Sequence, residues 1–267
     1  MSLAPQYLKM IDILAKKYGF SAEEGRAAVE LMLGSGAPVP TAASVTTVAP
    51  APVPAPAPTK GIVDILPALV PLLQRNIQSY HRMFGLPLAD VYWENILHNT
   101  LVELGHPTDW VPDRSHQVGM DLSVPSLLAS RISCKAGTIA KNREYKEPCV
   151  TFSGSRTTKH DDIAAKVAHL SGDHQDYYFL LSKRSTVKGK AFDMQYTLLV
   201  FHASLVSPEQ LVWSPEPING KWLGRSADPE RPFHASITKK MSDQLWTCLP
   251  VRHIPHRYEI NGVPDSA

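Results

Sequence analysis

An aspartate closes one short apolar run, Gly119-Met120-Asp121-Leu122, and a lysine lies inside the next, Arg131-Ile132-Ser133-Cys134-Lys135-Ala136-Gly137. Metal-assisted phosphodiester cleavage needs groups of this kind. Oxygen ligands must hold Mg²⁺ near the scissile phosphate, a water must be activated, and positive charge must meet the phosphorane. A carboxylate at the end of one strand and a lysine on its neighbour supply these from a rigid platform. Strand periodicity puts Ser133 and Lys135 on one face and turns Cys134 into the core, leaving its carbonyl able to face a metal. Asp121 is then the main metal ligand, and Lys135 meets the attacking water or the phosphate oxygens. Glu94, beside Trp93 in an apolar segment, is a further candidate acid, or simply an exposed helix edge. The competing reading of Asp121 and Lys135 is a cross-strand ion pair without chemistry.

A second segment adds to the first. Thr151-Phe152-Ser153-Gly154-Ser155-Arg156-Thr157-Thr158-Lys159-His160 reads as a strand end at Gly154 followed by hydroxyls and cations before a helix. Ser153, Ser155, Arg156, Thr157, Lys159 and His160 form a set suited to phosphate contacts, and Arg156 to guanine in the major groove. Thr158 or Asp161 also serves as N-cap of the next helix. Between Arg131 and Lys166 stand eight Lys or Arg and four Asp or Glu, although the whole chain carries only +2. The positive excess gathers around the candidate site.

Taken together, Gly-Met-Asp-Leu-Ser-Val and Arg-Ile-Ser-Cys-Lys-Ala-Gly resemble the PD-(D/E)XK nucleases, in particular the type II restriction endonucleases. Asp121 matches the first acid and Lys135 the lysine, while Ser133 stands where the second acid usually lies. The resemblance implies an acid recruited from elsewhere: Glu94, Glu144 or Glu147, the last twelve positions after Lys135. Ser-Gly-Ser-Arg-Thr-Thr-Lys-His and the later Asp-Tyr-Tyr-Phe-Leu-Leu-Ser look like restriction-type enzymes of large DNA viruses. The similarity covers roughly residues 90–185. It implies a Mg²⁺-dependent, sequence-specific endodeoxyribonuclease acting on double-stranded DNA. Asp121, Cys134, Glu94 and Glu147 are then candidate metal ligands, and Asp121, Lys135, Ser133 and Glu94 catalytic candidates. A homodimer would suit two cuts on a two-fold site. A non-catalytic DNA-binding or virion structural protein using the basic 131–166 segment is the alternative.

Other chemistries fit less well. No GxxxxGK[ST] or GxGxxG loop is present, so no nucleotide cofactor is expected, and no GxSxG elbow marks a serine hydrolase. His253 and His256, near Cys248, lack the helical frame of a zinc site. Three cysteines without a CxxC pair suit a reducing compartment. No leader or membrane-length apolar stretch is read, so a cytoplasmic protein without membrane contact is expected.

The positioning elements follow from periodicity. Residues 1–34 read as a helical hairpin, with Gly19 ending its first helix and Ser21 to Glu24 forming a capping box. Residues 35–60, rich in Pro and Ala, read as a disordered, partly polyproline-like linker. Residues 61–267 read as one domain of mixed type, which the resemblance implies is the nuclease domain. Helices are predicted over Ile62–Met83, Ala89–Leu104 and Asp161–Leu170. Strands are predicted over Asp113–Val124, Ser130–Ala136, Cys149–Ser153, Tyr177–Ser182 and Tyr196–His202. The last two are unbroken apolar runs, as expected when helices cover both faces of a sheet. Lys183–Lys190 is their hairpin loop. Beyond residue 207 the sequence gives no clear assignment, although Trp213, Trp222 and Arg225 are candidates for dimer or DNA contacts. The expected fold is α/β: a restriction-endonuclease-like core, a mixed sheet flanked by helices, with the hairpin and linker ahead of it.

Overall fold

A computed structural model describes residues 58–88, 90–110, 120–157, 160–171, 175–183, 193–239 and 243–264. All belong to the compact unit Pro56–Ala267. The predicted hairpin at 1–34, nearly all of the linker, residues 111–119 and most of the 183–190 loop lie outside the described residues.

Helix α1 spans Ile62–Met83 and buries Ile62, Leu66, Leu69, Leu73 and Ile77, a stripe at helical spacing. Pro67 and Pro71 lie within it, but both face solvent, where water can satisfy the carbonyls they leave without a partner. Helix α2, Asp90–Glu103, buries Trp93, Leu97 and Leu101 against the same core. The two helices are joined by an Arg75–Glu103 ion pair and by Asn76 donating to Thr100 Oγ1 at 3.0 Å. No helix among the described residues is long and apolar enough to cross a membrane.

The strands are β1 Leu122–Ser123, β2 Arg131–Lys141, β3 Pro148–Arg156, β4 Tyr177–Lys183, β5 Gln195–His202, β6 Leu211–Trp213, β7 Lys221–Ser226, β8 His234–Thr238, β9 Gln244–Pro250 and β10 His256–Asn261. Helix α3, Ile163–Leu170, separates β3 from β4. One open sheet runs β10-β5-β4-β2-β3-β9-β8-β7-β6, with β1 beside β2. The β2–β4 pairing is parallel and the other named pairings antiparallel, so the sheet is mixed. The fold is α/β, and from α2 onward the order helix–strand–strand–strand–helix–strand agrees with expectation.

Strands β4 and β5 are apolar throughout because both their faces are covered. Phe179, Leu181, Leu198 and Val200 pack under α1 and α2, whereas Tyr178, Leu180, Leu199 and Phe201 join a second core with Leu170 of α3. The predicted hairpin loop fits their antiparallel pairing. Strand β2 divides likewise: Ile132 and Cys134 face α1 and α2, while Ile139 meets the second core. The carboxy-terminal region, which the sequence leaves unassigned, supplies five strands, β6 to β10. Trp222 is core rather than contact surface, at 5% exposure.

Candidate active site in a gap of the sheet

The Asp121 carboxylate sits where two strands part. On the edge of β2 away from β4, β1 pairs with Arg131 and Ile132, and β3 pairs from Gly137 to Lys141. Among the described residues, 133–136 have no strand partner on that edge. Beyond Phe152, strand β3 follows β9 instead, through Ser153↔Trp246 and Arg156↔Gln244. A backbone N–H left in such a gap must find an acceptor, and a side chain provides it. Cys134 N donates to Asp121 Oδ2 at 2.7 Å, Lys135 Nζ at 2.8 Å and Ser133 Oγ at 3.2 Å. Asp121 N in turn donates to Ile132 O at 2.9 Å, fixing the residue at the head of β1. The Asp121 side chain is 4% exposed and that of Lys135 22%. Lysine thus forms the wet side of the pair.

The N–H and C=O of one strand residue point to the same edge, so the Cys134 carbonyl also faces the gap. Its thiol points into the core under α2. Burial raises the thiol pKa well above the usual range, and the charges of Asp121 and Glu94 raise it further. Cys134 therefore stays a thiol and is no nucleophile. Glu94 itself, on α2, is buried at 6%. Trp93 fixes this part of α2 by donating from Nε1 to Phe179 O at 3.3 Å, and Phe179 is the β4 partner of Cys134. Glu94 is thus not an exposed helix edge.

Tyr178, partner of Ser133 in the parallel register, is a neighbour that the sequence reading missed. Burial, then the Asp121 charge, pushes its phenol pKa up. Only the parallel register brings it there.

Several expected residues lie elsewhere. Glu147 is in the β2–β3 turn, where its carbonyl accepts from Asn142 N, and its carboxylate pairs with Arg252 at 2.7 Å. It is roughly 20 Å along the strand from Lys135. Glu144 pairs with Arg225 at 3.1 Å in the same turn region. Neither acid reaches Asp121, because a straight hairpin carries its turn away from its base. Of the three candidate acids, Glu94 is the one whose charge acts on Cys134.

The Ser153–His160 segment is not a turn from Gly154 onward. Strand β3 continues to Arg156 because β9, distant in sequence, pairs with it through an irregular step between Ser153 and Arg156. Gly154 serves close packing, since an added Cβ would lie 3.1 Å from Leu245. Thr157 is buried and gives its hydroxyl to Asp243 O at 2.9 Å, which removes it from the DNA-facing set. Lys166, fully buried, donates to Asp243 Oδ2 at 2.6 Å, to Thr157 O at 3.1 Å and to His160 O, and lies 5.2 Å from the Trp222 ring centroid. The cap of α3 is Asp162, which accepts from Ala165 N at 2.8 Å, rather than Thr158 or Asp161. Ser153 and Ser155 are half-buried, Arg156 is exposed and His160 half-buried, whereas Lys159 lies outside the described residues.

The charge argument narrows accordingly. Arg131 is bound to Asp176 through Nη2 at 2.8 Å and Nε at 3.2 Å, Lys135 to Asp121 and Lys166 to Asp243. Lys141, Arg143, Lys146 and Arg156 are the exposed cations of the described part of this stretch.

Whether Mg²⁺ suits the gap turns on donor chemistry. Among the described residues no three His, Cys, Asp or Glu side chains converge as a metal-holding group. Mg²⁺ commonly takes one or two carboxylates, keeps waters and uses substrate phosphate oxygens. The hydrogen bonds given to the Asp121 carboxylate all fall on Oδ2, which leaves Oδ1 as its oxygen for an ion, with the Cys134 carbonyl on the same strand edge as a second donor of suitable chemistry. Compared with protein-family models, curated proteins and solved structures, the chain matches none.

Proposed function

We propose that the chain is a Mg²⁺-dependent endodeoxyribonuclease that cuts duplex DNA at specific sequences, in the manner of a type II restriction enzyme and as a homodimer. The observation that carries this reading is one carboxylate in a strand gap, gripped by a backbone N–H and by a lysine ammonium that remains partly wet. Asp121 Oδ1 and the Cys134 carbonyl would hold the ion, with Glu94 as the further acid. The bound ion would supply Lewis-acid charge at the phosphate and a more acidic water. Lys135 holds positive charge at the mouth of the gap, where a phosphate oxygen would arrive, and can exchange its Asp121 partner for it. Ser133 and Cys134 N keep the carboxylate in place during that exchange. Arg156 is an exposed cation available for backbone or guanine contacts.

The test is supercoiled plasmid incubated with Mg²⁺ or with EDTA, using the full chain and the variants Asp121→Asn and Lys135→Ala, each checked for folding by circular dichroism. Discrete fragments from the parent in Mg²⁺ alone, with cutting at least about a hundredfold slower in both folded variants, support the reading. Cutting by Asp121→Asn at the parental rate refutes it. Plasmid retardation in both buffers without strand breaks instead favours the non-catalytic DNA-binding alternative.

A further inference from the structure

Among the described residues, half of the sheet has one face that neither hydrophobic core covers. The core under α1 and α2 draws on β10, β5, β4 and β2 and includes no residue of β3, β9, β8, β7 or β6. On the opposite face of those strands, Phe152, Leu245, Ile237 and Trp222 pack in the second core. The alternate residues must face the other way. Ser153, Trp246, Ser236 and Leu223 line up across β3, β9, β8 and β7 in register, and Thr151, Cys248, His234 and Arg225 form the adjoining row. Thr151 and Arg225 are exposed, but between them Cys248 (5% exposed) and His234 lie under Asn142 and Tyr145 of the β2–β3 turn, so the open row is that of Trp246, which is half-buried and belongs to neither core.

We propose that this face is a docking track for single-stranded nucleic acid, with a base stacked on Trp246. Charge chooses a polyanion: the strands β2, β3, β9, β8, β7 and β6 contain no Asp or Glu, although those residues number 25 in the chain. The open face carries Lys221 and Arg225; Arg225 is neutralised by Glu144, which folds over the end of the face, so Lys221 is the cation that β7 leaves for a phosphate. Hydroxyls of Thr151, Ser153 and Ser236 are donors for phosphate and sugar oxygens. A second ring position lies one diagonal step from Trp246, where Tyr145 stacks on His234 with centroids 5.4 Å apart. Rings on an open sheet suit unpaired bases, whose π-faces are free, whereas a duplex offers such a face mainly phosphate and would need more cations than this face leaves free. The track begins at Ala136 and Thr138, just past the gap of Asp121, but it requires no cleavage.

Fluorescence anisotropy of a fluorescein-labelled oligothymidine and of a hairpin duplex, with the full chain in EDTA, tests this. The single strand should bind more tightly than the duplex. Trp246→Leu, and separately Thr151→Glu with Ser236→Glu, should each weaken it about tenfold. Ala164→Glu, on α3 across the sheet, should bind as the parent does, which separates loss of the track from a general charge effect. Lys221→Gln, at an exposed position, should flatten the salt dependence while leaving circular dichroism unchanged. Duplex preference, or parental affinity in both the Trp246 and the double-glutamate variants, overturns the proposal. Because binding is read without Mg²⁺, its failure leaves the plasmid result standing, and a chain that binds without cutting retains the track while losing the nuclease.

Discussion

Replacing Asp121 by alanine should cost far more stability than replacing it by asparagine. Alanine removes the acceptor for Cys134 N, which no strand replaces, and for Ser133 Oγ inside a residue only 1% exposed. A buried donor left unsatisfied costs about 1–3 kcal/mol, and a lost hydrogen bond to a charged acceptor is of similar size. Lys135 can turn toward solvent and recover part of its hydration, since 22% of its side chain is already accessible. The sum for Asp121→Ala is about 3–5 kcal/mol, in the range for breaking a buried pair. Asparagine keeps an oxygen for Cys134 N and loses chiefly the ion pair, about 1–2 kcal/mol. Urea unfolding followed by circular dichroism, with m held common, measures both. Were the alanine variant within about 1 kcal/mol of the parent, or the two variants equally unstable, the gap would not be held by this carboxylate. The asparagine variant is therefore the one suited to cleavage assays.

Lys166→Met should lower stability by about 3–5 kcal/mol, because it strands a largely buried Asp243 and the carbonyls of Thr157 and His160. Adding Asp243→Asn should recover part of the loss, and a chemical-denaturation double-mutant cycle with no coupling would count against the pair. Gly262→Ala should cost about 1–3 kcal/mol, since its Cβ would lie 2.6 Å from the Met194 carbonyl oxygen and 2.8 Å from His81 Cδ2; an unchanged melting midpoint would contradict that packing. His81, with Nδ1 on Phe84 O and Nε2 on Tyr196 Oη, has its pKa lowered from 6.5, chiefly by burial. The unfolded chain then takes up the proton first as pH falls, so this group's contribution is constant above about pH 6.5 and is lost progressively below it. Urea midpoints at about pH 7.5 and about pH 5.5 should differ less in His81→Gln than in the parent.

Much of the frame was readable because it follows local rules. The α1 stripe from Ile62 to Ile77, the Trp93–Leu97–Leu101 spacing of α2 and the unbroken apolar runs of β4 and β5 each declare their burial through period or composition. The neighbourhood of Asp121 and Lys135 was readable for a similar reason, since a short hairpin joins them and the period of two sets which side chains share a face. What failed needed partners far along the chain. Gly154 looked like a strand end until β9 supplied an edge for β3 to follow, and Lys166 counted toward the positive excess of residues 131–166 until Asp243, 77 positions away, paired with it. Glu147 had a suggestive spacing, but spacing along a hairpin is distance, and the turn carried it off to Arg252.

By itself, the sequence determined the mixed α/β class, the strand that carries Lys135 and the aspartate that precedes it. Periodicity and short-range connectivity act within a dozen or so residues, and these features need nothing longer. Tertiary structure alone decided that β1 and β3 leave a gap on one edge of β2, that Asp121 closes it, that Glu94 is buried and that Glu147 is taken up by Arg252. It also decided that the five strands after residue 207 extend the sheet on both sides, leaving one half-face that neither hydrophobic core covers among the described residues. Strand pairing over long separations obeys hydrogen-bond satisfaction across the whole sheet, and no local pattern records which edge a strand will find.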